Sequence, residues 1–255
     1  MMILEELLKH YRENLSSEIR SLATIKLQQI DALGLLDTFI SSATTEAAYG
    51  DSYSFFGRMR TAAEKLPEKF ETLDTVSAIK EEDRRIQPYL RSQLFIALIA
   101  ELEDYLAQLL LRVLEAYPQK IKDQSIQLKQ ILELSSLESV IKHTANLEVV
   151  ALFYASPKEY RKRIEIILSI DPSLLEPVWV SFTEMKARRD IGLHNQWQQN
   201  EIYKNKVREV GGVVGSEDFL GINSNYFNDS LDTAKSLVEK LCSHCEEKFQ
   251  VNPAG

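Results

Sequence analysis

Apolar residues in this chain recur mostly at steps of three and four, the period of an α-helix, and rarely alternate as they would in a strand. Over residues 2–40, Leu4, Leu8, Tyr11, Leu15, Ile19 and Leu22 form an apolar stripe, with Glu5, Lys9, Arg12 and Glu13 on the other side. Residues 41–53 hold Thr44, Thr45, Gly50 and Asp51 and read as a loop. A helix over 54–66 should end before Pro67, and a polar segment follows over 68–84. The strongest signal lies at 86–117, where residues such as Leu94, Phe95, Leu98, Leu102, Leu106 and Leu110 leave little polar surface around the cylinder. A helix apolar nearly all round is a central, buried one. Pro118 stops it.

Residues 125–143 repeat the helical spacing through Ile126, Ile131, Leu134, Leu137 and Ile141. Ser156-Pro157 opens a further helix that runs to about Ile170. Asp171-Pro172-Ser173 reads as a turn, and Glu176-Pro177 as the start of a helix through Trp179 and Phe182 to Ile191, with Gly192 as its stop. Over 204–223, the valines around Gly211-Gly212 suggest a short extended excursion or hairpin. Residues 225–249 close the chain as an amphipathic helix. The pattern therefore predicts a mainly α fold. A helical extension over 1–84 precedes a helical domain over 85–255, the two forming one compact unit.

Composition narrows this further. Nine glycines and seven prolines in 255 residues are about half the average usage. So few turn-formers argue against a sandwich, barrel or propeller. The net charge of −8 excludes a generally basic nucleic-acid coat but leaves room for a local basic cleft. Glu5 and Glu6 stand where a signal peptide would be basic, and the longest apolar run, Leu94 to Ala100, is far too short to cross a membrane. A cytoplasmic location is expected. Cys242 and Cys245 flank Ser243-His244, but His10, His143 and His194 do not add ligands at metal-site spacing. Nucleotide-cradling glycine loops, zinc-protease and deaminase signatures and the serine-hydrolase elbow are all missing. No cofactor and no metal are expected.

One string stands out: Arg188-Arg189-Asp190-Ile191-Gly192-Leu193-His194-Asn195. On a continuous helix Arg189 and His194 lie about 140° apart. A break at Gly192 would let His194 swing back beside Arg189, with Asp190 positioned to hold its imidazole. A forked, permanently charged guanidinium suits a phosphate, and histidine suits proton transfer. Together they are a minimal kit for phosphodiester cleavage by an RNA's own 2′-OH. The bland alternative is a helix end with ordinary basic residues and a capping histidine.

This string and its surroundings resemble the HEPN superfamily of helical proteins, whose hallmark is Arg-x(4–6)-His at the end of a long helix. Arg189, Asp190 and His194 carry the match, with aspartate after the arginine where asparagine is more frequent. Asn195, Asn200 and Tyr203 continue it downstream. Ala100 to Leu106 looks like the family's other long helix. The likeness covers roughly 85–250 and leaves 1–84 unexplained. It implies a metal-independent endoribonuclease, working as a homodimer that joins two Arg/His sets in one cleft, and acting as a toxin or effector in bacterial antiviral defence. His194 would be general acid/base, Arg189 would bind the scissile phosphate, and Asp190 would orient either. Arg188 and Asn195 would support them, and Glu103 would pin the arginine. RNA, often tRNA in the family, would be guided by Arg161, Lys162, Arg163 and Lys186, unless these are a solvated helix face. An antitoxin or defence-system protein would be a partner. Two other readings stay open: a non-catalytic HEPN-like module that binds RNA or protein, and an unrelated helical scaffold in which the Arg/His spacing is chance.

Overall fold

The computed structural model describes residues 2–49, 72–122, 131, 133–134 and 136–249. Within them the chain is mainly helical. Its helices are α1 (Met2–Tyr49), α2 (Thr72–Ala116), α3 (Leu137–Phe153), α4 (Pro157–Leu168), α5 (Pro172–His194), α6 (Glu201–Glu209) and α7 (Ser224–Lys248), with a 3-10 turn at Pro118–Lys120. No strand forms among the described residues; one isolated antiparallel bridge joins Gln198 and Phe219.

The centre of the bundle is α2. Phe95, Leu98, Leu102, Tyr105, Leu106, Leu109 and Leu110 are at most 1% exposed, as an all-round apolar helix requires. It is flanked by α1, α3, α4, α5 and α7. The N-terminal helix is no appendage. Leu15, Ile19, Leu22, Ala23 and Ile30 join the same core as α2 and α7. Ion pairs bind α1 to α2 as well: Lys26 Nζ lies 2.5 Å from Glu101 and 2.6 Å from Asp104, and Arg91 Nε lies 2.6 Å from Asp37. The boundary expected at 84/85 falls inside α2.

Several expected boundaries move, each for a local reason. The loop expected over 41–53 is helical as far as Tyr49. The helix expected over 54–66 and the first part of the one over 125–143 lie outside the described residues. The described helix there begins at Leu137, where Ser136 accepts a hydrogen bond from Ser139 N, and it runs to Phe153. The α4 helix opens with a capping box between Ser156 and Glu159, with Pro157 in the first turn, and closes at Ser169 in a left-handed conformation (φ 55°).

Asp171-Pro172-Ser173 is a helix start, not a turn. Asp171 accepts from Ser173 N and Pro172 takes the first-turn position, where its missing N–H costs nothing. Thus α5 begins before Glu176. It also runs through Gly192 to His194. The glycine serves close approach instead of termination: a Cβ there would sit 2.6 Å from the Trp197 ring. The stop comes later, where Gln196 and Trp197 adopt positive φ and Asn195 N and Trp197 N both donate to Ile191 O.

Of the extended or hairpin excursion expected over 204–223, the first part is helical, in α6, and irregular chain leads from its end to α7. Asn200 caps the helix by accepting from Tyr203 N. Tyr203 and Val207, four residues apart, bury together against Ala187 and Ile191. The valines therefore follow helical spacing until Gly211, at φ 81°, ends it.

Candidate functional site

The α5 helix builds the site. Trp179, Phe182, Thr183, Lys186, Arg189 and Asp190 fall within an arc of about 120° on its surface, and all six line one cavity of about 180 Å³. Its other walls are Phe153 and Tyr160 from α3 and α4, Glu103 from α2 and Lys206 from α6. The floor is aromatic. The Tyr160 and Trp179 rings meet edge-on at 5.5 Å, and the Phe182 ring is tilted against Trp179 at 5.4 Å.

The rim is a chain of alternating charge. Glu103 accepts from Arg189 Nη2 at 3.0 and 3.1 Å, and the same carboxylate lies 3.0 Å from Lys186 Nζ. Asp190 reaches Arg189 Nε at 3.0 Å on one oxygen and accepts from Lys206 Nζ at 2.9 Å on the other. The Arg189–Asp190 contact is an ion pair without hydrogen-bond alignment, so Arg189 Nε lacks a hydrogen-bond partner. Three cations thus share two carboxylates, leaving one surplus positive charge. The Lys186 ammonium also faces the rings of Tyr160, at 4.7 Å, and Phe153. Burial pushes its pKa below the ordinary value, against the pull of Glu103.

His194 does not join this group. It is exposed, it does not line the cavity, and α5 is unbroken between it and Arg189. The swing-back expected from a break at Gly192 does not occur, so the two side chains leave the helix about 140° apart. Asp190 is engaged by Arg189 and Lys206, not by the imidazole.

Arg188 belongs to a different cluster on the opposite side of α5. Its guanidinium stacks 3.7 Å over the Tyr226 ring and donates to Glu184 at 2.7 Å. Glu184 also accepts from Tyr203 and Tyr226. This network ties α5 to α6 and α7 and does not support the Arg189 cavity. Asn195 donates to Gln198 O in the turn after α5.

Of the expected RNA-guiding residues, Lys186 is in the cavity. Arg161 is held by Glu165, Glu176 and Pro172 O, and Arg163 by Glu148 and Lys120 O. Both spend their charge on helix-to-helix ties, which corrects the expectation of a free basic face. Lys162 is exposed. The sequence reading missed Tyr160, Trp179 and Lys206 as site residues. For Trp179 the signal was available, because positions 179, 182, 186 and 189 repeat at helical spacing on Arg189's own helix. For Tyr160 and Lys206 there was none, since other helices carry them.

Among the described residues no cluster of histidine, cysteine and carboxylate side chains could hold a metal ion, and no helix is long and apolar enough to cross a membrane. Cys245 is buried and Cys242 partly so, with no disulfide between them. No family model, no curated protein and no solved structure matches the chain, so its candidate chemistry rests on the Arg189 cavity and the α5 terminus.

Proposed function

We propose that this protein is a metal-independent endoribonuclease of the HEPN type, acting in bacterial antiviral defence as a toxin or effector. The observation that carries the reading is one helix bearing both an arginine anchored by a carboxylate in a cationic cavity and, at its C-terminus, an exposed histidine. Arg189 is held ready for a phosphate, because Glu103 fixes its fork and so lowers the entropy lost on binding. His194 is open to solvent and to a second chain. Since the two side chains diverge on their own helix, a homodimer would set His194 of one copy toward the Arg189 of the other. In that arrangement His194 moves the proton of the attacking 2′-OH or the leaving 5′-oxygen, and Arg189 stabilises charge building on the phosphate.

A second reading has its own support. Both carboxylates at the cavity rim are spent on its cations, and His194 is outside the cavity. This favours a non-catalytic HEPN-like module that binds RNA or a partner protein such as an antitoxin.

One assay separates the two. Purified protein is incubated with total tRNA in excess EDTA, and the ends are mapped. The nuclease reading expects cleavage leaving 2′,3′-cyclic phosphate, lost in both Arg189→Ala and His194→Ala while the melting temperature of His194→Ala stays unchanged. Cleavage that survives both substitutions overturns the Arg/His assignment. Absence of cleavage with retained RNA or partner binding selects the binding module.

A further inference from the structure

Three of the residues that line this cavity each carry a buried polar atom without a hydrogen-bond partner: Tyr160 Oη, Trp179 Nε1 and Arg189 Nε, the last facing Asp190 in the ion pair at 3.0 Å. His143 Nε2 is the one other such atom among the described residues. Tyr160 and Trp179 are 4% and 1% exposed, so solvent does not freely satisfy them. A buried donor left unpaired is unfavourable, and two on residues of one cavity, Tyr160 and Trp179, point to a ligand that pairs them.

The chemistry of the walls says what. Indole and guanidinium nitrogens only donate, and the phenol donates readily. The rim adds Lys186, Arg189 and Lys206 against Glu103 and Asp190, an excess of one positive charge. A nucleobase would need free acceptors as well, and both carboxylates are already engaged. Donors on several sides with surplus positive charge suit a small anion with several acceptor oxygens. The volume agrees: about 180 Å³ lies below the roughly 300–1,000 Å³ of sites for drug-sized molecules, yet holds several times the roughly 30 Å³ share of one water.

We propose that this cavity is a phosphate-group site, in which Lys186, Arg189 and Lys206 supply charge while Tyr160 Oη and Trp179 Nε1 donate to the phosphate oxygens. The phosphate arrives on an RNA end or on a free nucleotide. Because His194 of the same chain is outside the cavity, the group held here is anchored and not presented to that imidazole. The inference rests on the same Arg189 that the nuclease reading assigns to phosphate, but it is tested apart from it, because phosphate binding can be measured without any cleavage.

The test uses the full chain in thermal-shift and calorimetric titrations. The probes are inorganic phosphate, adenosine 5′-monophosphate, and one short RNA with and without a 5′-phosphate. The expected result is a rise in melting temperature with phosphate-bearing probes and a preference for the phosphorylated RNA over its unphosphorylated twin. Tyr160→Phe removes one oxygen and keeps the ring. It should leave the ligand-free melting temperature unchanged or raised, because the deleted hydroxyl is unpaired. It should also weaken phosphate binding about tenfold or more, the usual cost of losing a hydrogen bond to a charged group. Lys186→Met should weaken it further. The tighter of phosphorylated RNA and the mononucleotide identifies the source, and either supports the site. No shift with any phosphate-bearing probe, or wild-type affinity in Tyr160→Phe, overturns it. Cleavage of tRNA is read separately in the EDTA assay, so failure of this site and failure of the nuclease reading are distinguishable.

Discussion

Glu103→Gln is the sharpest probe of the cavity, because it keeps the shape of the side chain and removes only its charge. In the folded protein that carboxylate lies between Lys186 Nζ at 3.0 Å and Arg189 Nη2 at 3.0 Å, with all three side chains less than a fifth exposed. Removing one partner of a fully buried pair costs about 3–5 kcal/mol, and an exposed pair is worth at most about 1 kcal/mol. Partial solvent screening here places the loss at about 2–3 kcal/mol. For a chain of this size each kcal/mol moves the melting temperature by about 2–4 °C, so a fall of about 4–12 °C is expected. The same substitution takes the rim from one surplus positive charge to two. Inorganic phosphate should then bind more tightly and restore part of the lost stability. The assay is a pair of melting curves, with and without phosphate, for wild type and variant. A change under about 1 °C would show Glu103 to be a solvated helix charge and would refute the electrostatic reading of the rim.

Two further outcomes test the packing. Asp37→Asn should cost about 3 kcal/mol in urea unfolding, because it strands Arg91 inside the α1–α2 contact, where both side chains are under a tenth exposed; combining Asp37→Leu with Arg91→Met, which replaces the whole pair by apolar side chains, should recover most of that loss. Cys245, whose thiol burial pushes up to about 12, should resist alkylation at pH 8 until the protein unfolds, because the reactive thiolate is nearly absent at that pH; mass spectrometry after timed labelling reads this directly, and rapid native labelling of Cys245 would contradict its burial.

The central helix was legible because its signal is local and redundant. From Leu94 to Leu114 nearly every turn offers apolar residues on all sides, and the helix they predict is the buried one. The Ser156-Pro157 start was equally legible, since a cap residue and a first-turn proline are adjacent in sequence. Asp171-Pro172 carries the same signature, yet it is also a common turn dipeptide, and local chemistry alone does not separate the two. Gly192 misled for a different reason. Glycine ends helices when a left-handed residue is needed, but here it makes room for Trp197, a contact that exists only after the chain has turned back on itself.

Local order along the chain specifies a helical protein with few turns, a central apolar helix, and an arginine and a histidine five residues apart near the end of one of its helices. These follow from periodicity and spacing, which operate within a few turns of the chain. Where the charges act is set by the packing of the helices. Packing put Glu103 and Lys206, from two other helices, on the cavity that Arg189 lines. It turned Arg188 to a separate network with Tyr226 and spent Arg161 and Arg163 on helix ties. Continuous backbone through Gly192 kept His194 away from its own arginine. Side chains far apart in sequence meet only when helices pack, and the pairing of cations with carboxylates depends on which faces that packing brings together.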